Sequence, residues 1–138
     1  MNLRKYQDGD YEAIQDSVEP MTVQGDINLV KDLGVHLTAT EGGSVVAVGG
    51  IIMTGDDEGE VWLKLSKNNL NKRILARILK EGYIILRDSF GLSRLTAKVQ
   101  EGFCSGIRLA TAFGFKPTDE TIDISEYHYR IYEQWLTQ

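Results

Sequence analysis

Between residues 35 and 66 the chain spells out three strands and two tight turns, and this stretch constrains the fold more than any other. Val35, Leu37 and Ala39 alternate with His36, Thr38 and Thr40, the period-2 signature of a half-buried strand. Glu41-Gly42-Gly43-Ser44 follows, and paired glycines supply the positive φ that a short hairpin requires. Residues 45–54 are apolar with little alternation, as expected of a strand covered on both faces. Gly55-Asp56-Asp57-Glu58-Gly59 predicts a second turn, and 60–66 a returning strand. Three antiparallel neighbours commit the chain to a sheet-based core.

The flanks predict helices around that sheet. Residues 2–6 read as an opening strand, and Asp8-Gly9-Asp10 as a turn with an Asp N-cap. A short helix is expected over 11–18, with Ile14 and Val18 inward and its end set by Pro20. A second short helix is expected over 26–33, closed by Gly34. Leu70, Ile74, Leu75, Ile78, Leu79, Ile85 and Leu86 recur at helical spacing. They predict a helix over 69–89 with an Asn cap, a weak point at Gly82 and a stop at Gly91. A strand at 94–99, a helix at 104–113 capped by Gly114, and strands through Ile122, Ile124, Tyr127, Tyr129 and Ile131 complete the chain. The order β-α-α-β-β-β-α-β-α-β-β is mixed α/β with a largely antiparallel sheet, not a doubly wound nucleotide-binding domain. Residues 1–138 are expected to form a single domain.

Composition removes several functional classes. One cysteine, Cys104, excludes an internal disulfide framework and a multi-cysteine zinc site. Two distant histidines, His36 and His128, argue against a histidine-rich metal centre. No stretch approaches the ~20 apolar residues of a membrane span, so a soluble, cytoplasmic protein without a membrane partner is expected. The net charge of -5 is unevenly spread: residues 1–60 carry three basic and twelve acidic side chains, residues 61–138 twelve basic and eight acidic. The segment with Lys64, Lys67, Lys72, Arg73, Arg77, Lys80, Arg87, Arg94 and Lys98 faces only Glu81 and Asp88. It would attract a polyanion if the fold gathers these groups, or form a solvated helix face if it does not. Interleaved aromatics are scarce there, which weighs against nucleic acid as the partner.

Three stretches together resemble the GNAT superfamily of acetyl-CoA-dependent N-acyltransferases. Asn2-Leu3-Arg4-Lys5-Tyr6 with Asp10-Tyr11-Glu12-Ala13-Ile14 is similar to the family's first strand and helix. The run from Thr38 to Gly50 is similar to its second hairpin. Leu109 followed by Gly114-Phe115 is similar to the end of its late helix. The resemblance implies a GNAT fold, acetyl-CoA as cofactor and a small-molecule or protein amine as acceptor. In length, and from Val61-Trp62-Leu63 through the basic helix, the chain also resembles small phage-encoded GNAT-like proteins. That likeness implies a phage or host protein as partner, in the virion or the host cytoplasm, and a homodimer is a further expectation.

The resemblance also assigns candidate site residues. Backbone N–H groups near Leu63 and Leu65 would pair with the cofactor's pantetheine arm and polarise the thioester carbonyl. The phosphate loop falls on Lys67, Asn68, Asn69, Lys72 and Arg73, where glycines of the family pattern are missing and basic side chains stand instead. Aligning on Leu109 puts Phe103 where the family often has Asn, and Ala110 where it often has the Tyr that protonates the departing thiolate. A general acid would then come from Tyr127, Tyr129 or Tyr132, with Tyr129 the chosen candidate. Glu60 is the chosen base, ahead of Glu58 and Glu41. Two readings stay open: an N-acyltransferase with an atypical cofactor loop, and a non-catalytic GNAT-fold protein acting by macromolecular binding.

Overall fold

A computed structural model describes residues 1–23, 27–67 and 71–136. The elements are β1 (Asn2–Lys5), α1 (Asp10–Ala13), β2 (Ser17–Met21), α2 (Ile27–Val30), β3 (Gly34–Glu41), β4 (Ser44–Met53), β5 (Glu58–Ser66), α3 (Lys72–Asp88), β6 (Arg94–Gln100), α4 (Cys104–Ala112), β7 (Lys116–Ile124) and β8 (Tyr127–Trp135). They build an eight-stranded mixed sheet in the order β1-β3-β4-β5-β6-β8-β7, with β2 attached to β5. The only parallel contact among these named pairs is β5 with β6.

The hairpin at Gly42-Gly43 forms as the sequence predicts, with φ of 58° and 82° and Glu41 opposite Ser44. Alternation then assigns the two faces. Val61, Leu63, Leu95, Ala97 and Val99 point toward α3 and α4, where they meet Tyr83, Leu86, Ala110 and Phe113. Val48, Ile52 and Trp62 point the other way and meet Ile14 and Ile27. The long helix starts at Lys72, not at 69, because Asn71 is its cap: the side-chain oxygen accepts from the Ile74 N–H at 3.2 Å. Asn68 and Asn69 lie outside the described residues.

The N-terminal third departs from expectation. The helix predicted over 11–18 is a single turn, and residues from Ser17 onward are extended. Asp10 does not cap it. Its buried carboxylate accepts from both Arg4 nitrogens, the Gln7 N–H and the Thr38 hydroxyl, so tertiary partners took the role that a cap would have filled. The second helix is one turn plus a 3-10 turn over Lys31–Leu33. Gly34 closes that 3-10 turn as expected, but in extended conformation at φ −170° and not in the left-handed one. A side chain there would strike the Ile51 carbonyl, so this glycine is needed for the close approach of β3 to β4.

Candidate active site

The pair β5–β6 carries the geometry that matters. Only Glu58, Glu60 and the intervening Gly59 are in register with β6, against Arg94, Thr96 and Leu95. Beyond them the two strands diverge, leaving the inner edge of β5 from Leu63 to Ser66 without β6. Unpaired main-chain donors inside a fold are costly, so something must satisfy them. Here it is β2. Ser17 pairs with Ser66, Val18 with Leu65 and Met21 with Leu63. The strand also reaches across the opening: the Thr22 N–H donates to the Lys98 carbonyl at 3.0 Å, and the Lys67 N–H donates to the Asp16 carbonyl at 2.9 Å. The wedge between β5 and β6 is closed by the chain's own backbone.

On the helix side of this plug lies a groove of about 350 Å³. Val18, Pro20 and Leu65 contribute its β2–β5 wall, Leu75, Leu79, Phe103 and Leu109 the helix walls, and Lys67 and Lys72 stand at its rim. Lys72 and Arg73, both exposed, begin α3 with free positive charge, and Arg77 and Lys80 continue it. None of these four makes an ion pair among the described residues. The rest of the basic segment is spent internally: Lys67 lies 3.5 Å from Asp16, Arg87 pairs with Asp88, Arg94 with Glu133, and Lys98 with Glu60. Lys64 is buried, its ammonium donating to the Tyr11 carbonyl at 2.7 Å over the Tyr11 ring. Burial lowers its pKa, an effect that Glu19 and Glu12 partly offset.

The two candidate catalysts are not brought together. Glu60 is buried and ion-paired to Lys98 where β5 and β6 part. Tyr129 shares that face of the sheet, but its register partner is Gln100, whereas Glu60 sits beside Thr96. Four residues of strand, about 13 Å, separate the two rows. Burial and the nearby Glu19 raise the Tyr129 pKa, which keeps its proton in place at neutral pH. Tyr132 is in the core, Tyr127 is exposed, and Ala110 is fully buried. Phe103 precedes α4 without a side-chain cap bond. Cys104 is exposed. His128 sits on Asp123 on the outer hairpin, and His36 is buried beneath Trp62.

Sequence reasoning missed Asp16, Thr22 and Lys98 as the residues that frame the wedge. The one available signal was Pro20, which a helical reading treats only as a terminator.

The groove is mostly apolar with lysines at its rim, and the inner edge of β5 beside it is occupied by β2. Among the described residues no cluster of His, Cys, Asp and Glu could hold a metal ion, and no helix is long and apolar enough to cross a membrane.

These features are those of the GNAT fold, and solved structures bear this out. A GNAT family acetyltransferase from Elizabethkingia anophelis with acetyl-CoA bound superposes with a TM-score of 0.72 at 13% identity, over 98% of this chain and 97% of that one. The ribosomal-protein-S18-alanine N-acetyltransferase of Escherichia coli gives 0.72 at 14%, over 99% and 94%. The ribosomal-protein-alanine N-acetyltransferase of Brucella melitensis gives 0.70 at 16%, over 99% and 100%. The likeness is one of fold, across nearly the entire chain. No protein-family model matches the sequence, and no curated protein matches it.

Proposed function

We propose that this chain binds acetyl-CoA in the groove between α3 and α4 and transfers the acetyl group to an amine. The coenzyme supplies the activated thioester; the chain supplies charge, an apolar wall and main-chain donors. The observation that carries this reading is the divergence of β5 from β6 after Glu60, above an apolar groove with Lys67 and Lys72 at its rim. Lys72 and Arg73 take the phosphates by charge, in place of the close approach that glycines would allow. Of the two β5 candidates, the Leu65 backbone N–H is the donor offered to the coenzyme arm once Val18 leaves it, while Leu63 stays paired with Met21. With Glu60 tied to Lys98 and Ala110 in place of an acid, protons exchange with solvent, so slow turnover is expected.

A second reading is a GNAT-fold protein that works by binding a macromolecule, a phage or host protein, without transfer. It draws on Phe103, Ala110 and the occupied edge of β5.

Calorimetric titration with acetyl-CoA tests the first reading. We expect saturable heat and a rise in melting temperature, since ligand at about 100 times its dissociation constant adds about 2.7 kcal/mol of stability. Lys72→Glu with Arg73→Glu is expected to weaken binding at least about tenfold, the effect of about 1.4 kcal/mol. No heat and no thermal shift at millimolar ligand would leave only the second reading. Binding without amine-dependent release of free coenzyme A thiol would keep the groove and remove the transfer.

A further inference from the structure

We infer that β2 is a built-in competitor for the coenzyme site: its backbone occupies the edge of β5 that an amide-bearing pantetheine arm would use, and the arm binds only when Ser17–Val18 peel away. This rests on the acetyl-CoA reading above and adds to it a regulation of the same edge.

The plug has two halves of unequal grip. Met21 is fully buried in the main core and Thr22 is tied to β6 through the Lys98 carbonyl. This inner half is anchored. Between it and the outer half the register of β2 on β5 shifts, at Glu19-Pro20. Pro20 brings no N–H to a ladder, so hydrogen bonding is interrupted there. The outer half, Asp16 to Val18, is held by its pairing with Leu65 and Ser66, by the Lys67 N–H on the Asp16 carbonyl, and by a 3.5 Å contact between Lys67 and the Asp16 carboxylate. Both charged partners are more than half exposed, so that contact is weak.

A pantetheine arm carries two amides on a chain of strand-like reach, so it and Ser17–Val18 offer β5 the same kind of partner. Binding by one excludes the other along Leu65–Ser66. The coenzyme's apparent affinity is therefore its affinity for the open edge reduced by the fraction of molecules with the edge open. Lys67 couples the two ends of this exchange. Its N–H and ammonium hold Asp16 when the plug is in, and both are released toward phosphate when it leaves.

A reversible lock tests this. Ser17→Cys and Ser66→Cys face each other across an antiparallel pair, a spacing that a disulfide spans, in a Cys104→Ser background. We expect the oxidised lock to bind acetyl-CoA at least about 100-fold more weakly than the same protein after reduction, a difference of about 2.7 kcal/mol. In unlocked protein, saturating acetyl-CoA should speed amide hydrogen exchange at Val18, the residue of this pair whose N–H faces β5. Equal affinity of the oxidised and reduced forms, or undiminished protection of Val18 in the saturated complex, would overturn the plug and leave the coenzyme reading standing. If neither the reduced lock nor the unaltered chain binds acetyl-CoA, both inferences fall together.

Discussion

Trp62 has one hydrogen to donate, and its indole N–H gives it to Nδ1 of His36 at 3.0 Å. Nδ1 is therefore the acceptor, so the ring's proton sits on Nε2 and is donated to the Lys31 carbonyl at 2.9 Å. The neutral ring satisfies both neighbours, and a second proton would break the Trp62 bond. Burial lowers the His36 pKa from its ordinary 6.5, with the Lys31 carbonyl opposing. As pH falls through 6.5, the unfolded chain takes up a proton that the folded chain refuses, so stability drops with falling pH. Urea midpoints measured from pH 7.5 to 5 should decline over that window. His36→Gln, which keeps an acceptor for the indole, should flatten the decline; an unchanged slope would place its origin elsewhere. Asp10 acts lower. Burial pushes its carboxyl up, but Arg4, Thr38 and the Gln7 N–H outweigh that and hold it below 3.8, so its share is lost only in stronger acid. The His36 pocket also dictates Gly50, because a side chain there would strike the His36 ring.

Among the elements, α3 was the most legible and β2 the least. The apolar stripe of α3 repeats at 3.6 residues and needs no tertiary information to be read. Its ends were less secure, since Asn68, Asn69 and Asn71 are all competent caps and only the hydrogen bond to Ile74 distinguishes the one used. Gly82 is the helix's weak point, and the structure gives it no compensating role. A methyl group there would meet Leu37 and Leu3 at 3.4 and 3.5 Å, ordinary contact distances. Gly82→Ala should therefore stabilise the fold by about 1 kcal/mol through backbone entropy. A lower urea midpoint would show that the small apolar space beneath α3 is already full. In contrast, Ser17-Val18-Glu19-Pro20-Met21 has no strand alternation, and its proline lacks a ladder donor. Nothing local makes it extended. It is a strand because β5 offers an unsatisfied edge.

At the scale of the whole molecule, the decisive place is the throat where β5 and β6 part. The Glu60–Lys98 ion pair sits there, with both side chains about nine-tenths buried. Lys98→Met alone would leave a buried carboxylate without its cation and should cost about 3 kcal/mol. Adding Glu60→Gln should recover more than half of that loss. A double-mutant cycle by urea denaturation reads the difference, and additive losses would mean that the two residues do not act as a pair. The two partners lie 38 residues apart, so no spacing rule could have joined them. The charge pattern tells the same story. Nine cations crowd one stretch of sequence, yet the fold ties five of them to partners and leaves Lys72, Arg73, Arg77 and Lys80 as the exposed set on α3. Local signals determined the hairpin at Gly42-Gly43, the three strands around it, the long helix and the α4–Gly114 end, because periodicity and turn chemistry act between near neighbours. Tertiary structure alone decided that β5 and β6 diverge, that β2 enters the gap, and that Glu60 is ion-paired instead of standing free as a base. Those outcomes depend on backbone groups and charges far apart in sequence, which find partners only once the sheet exists.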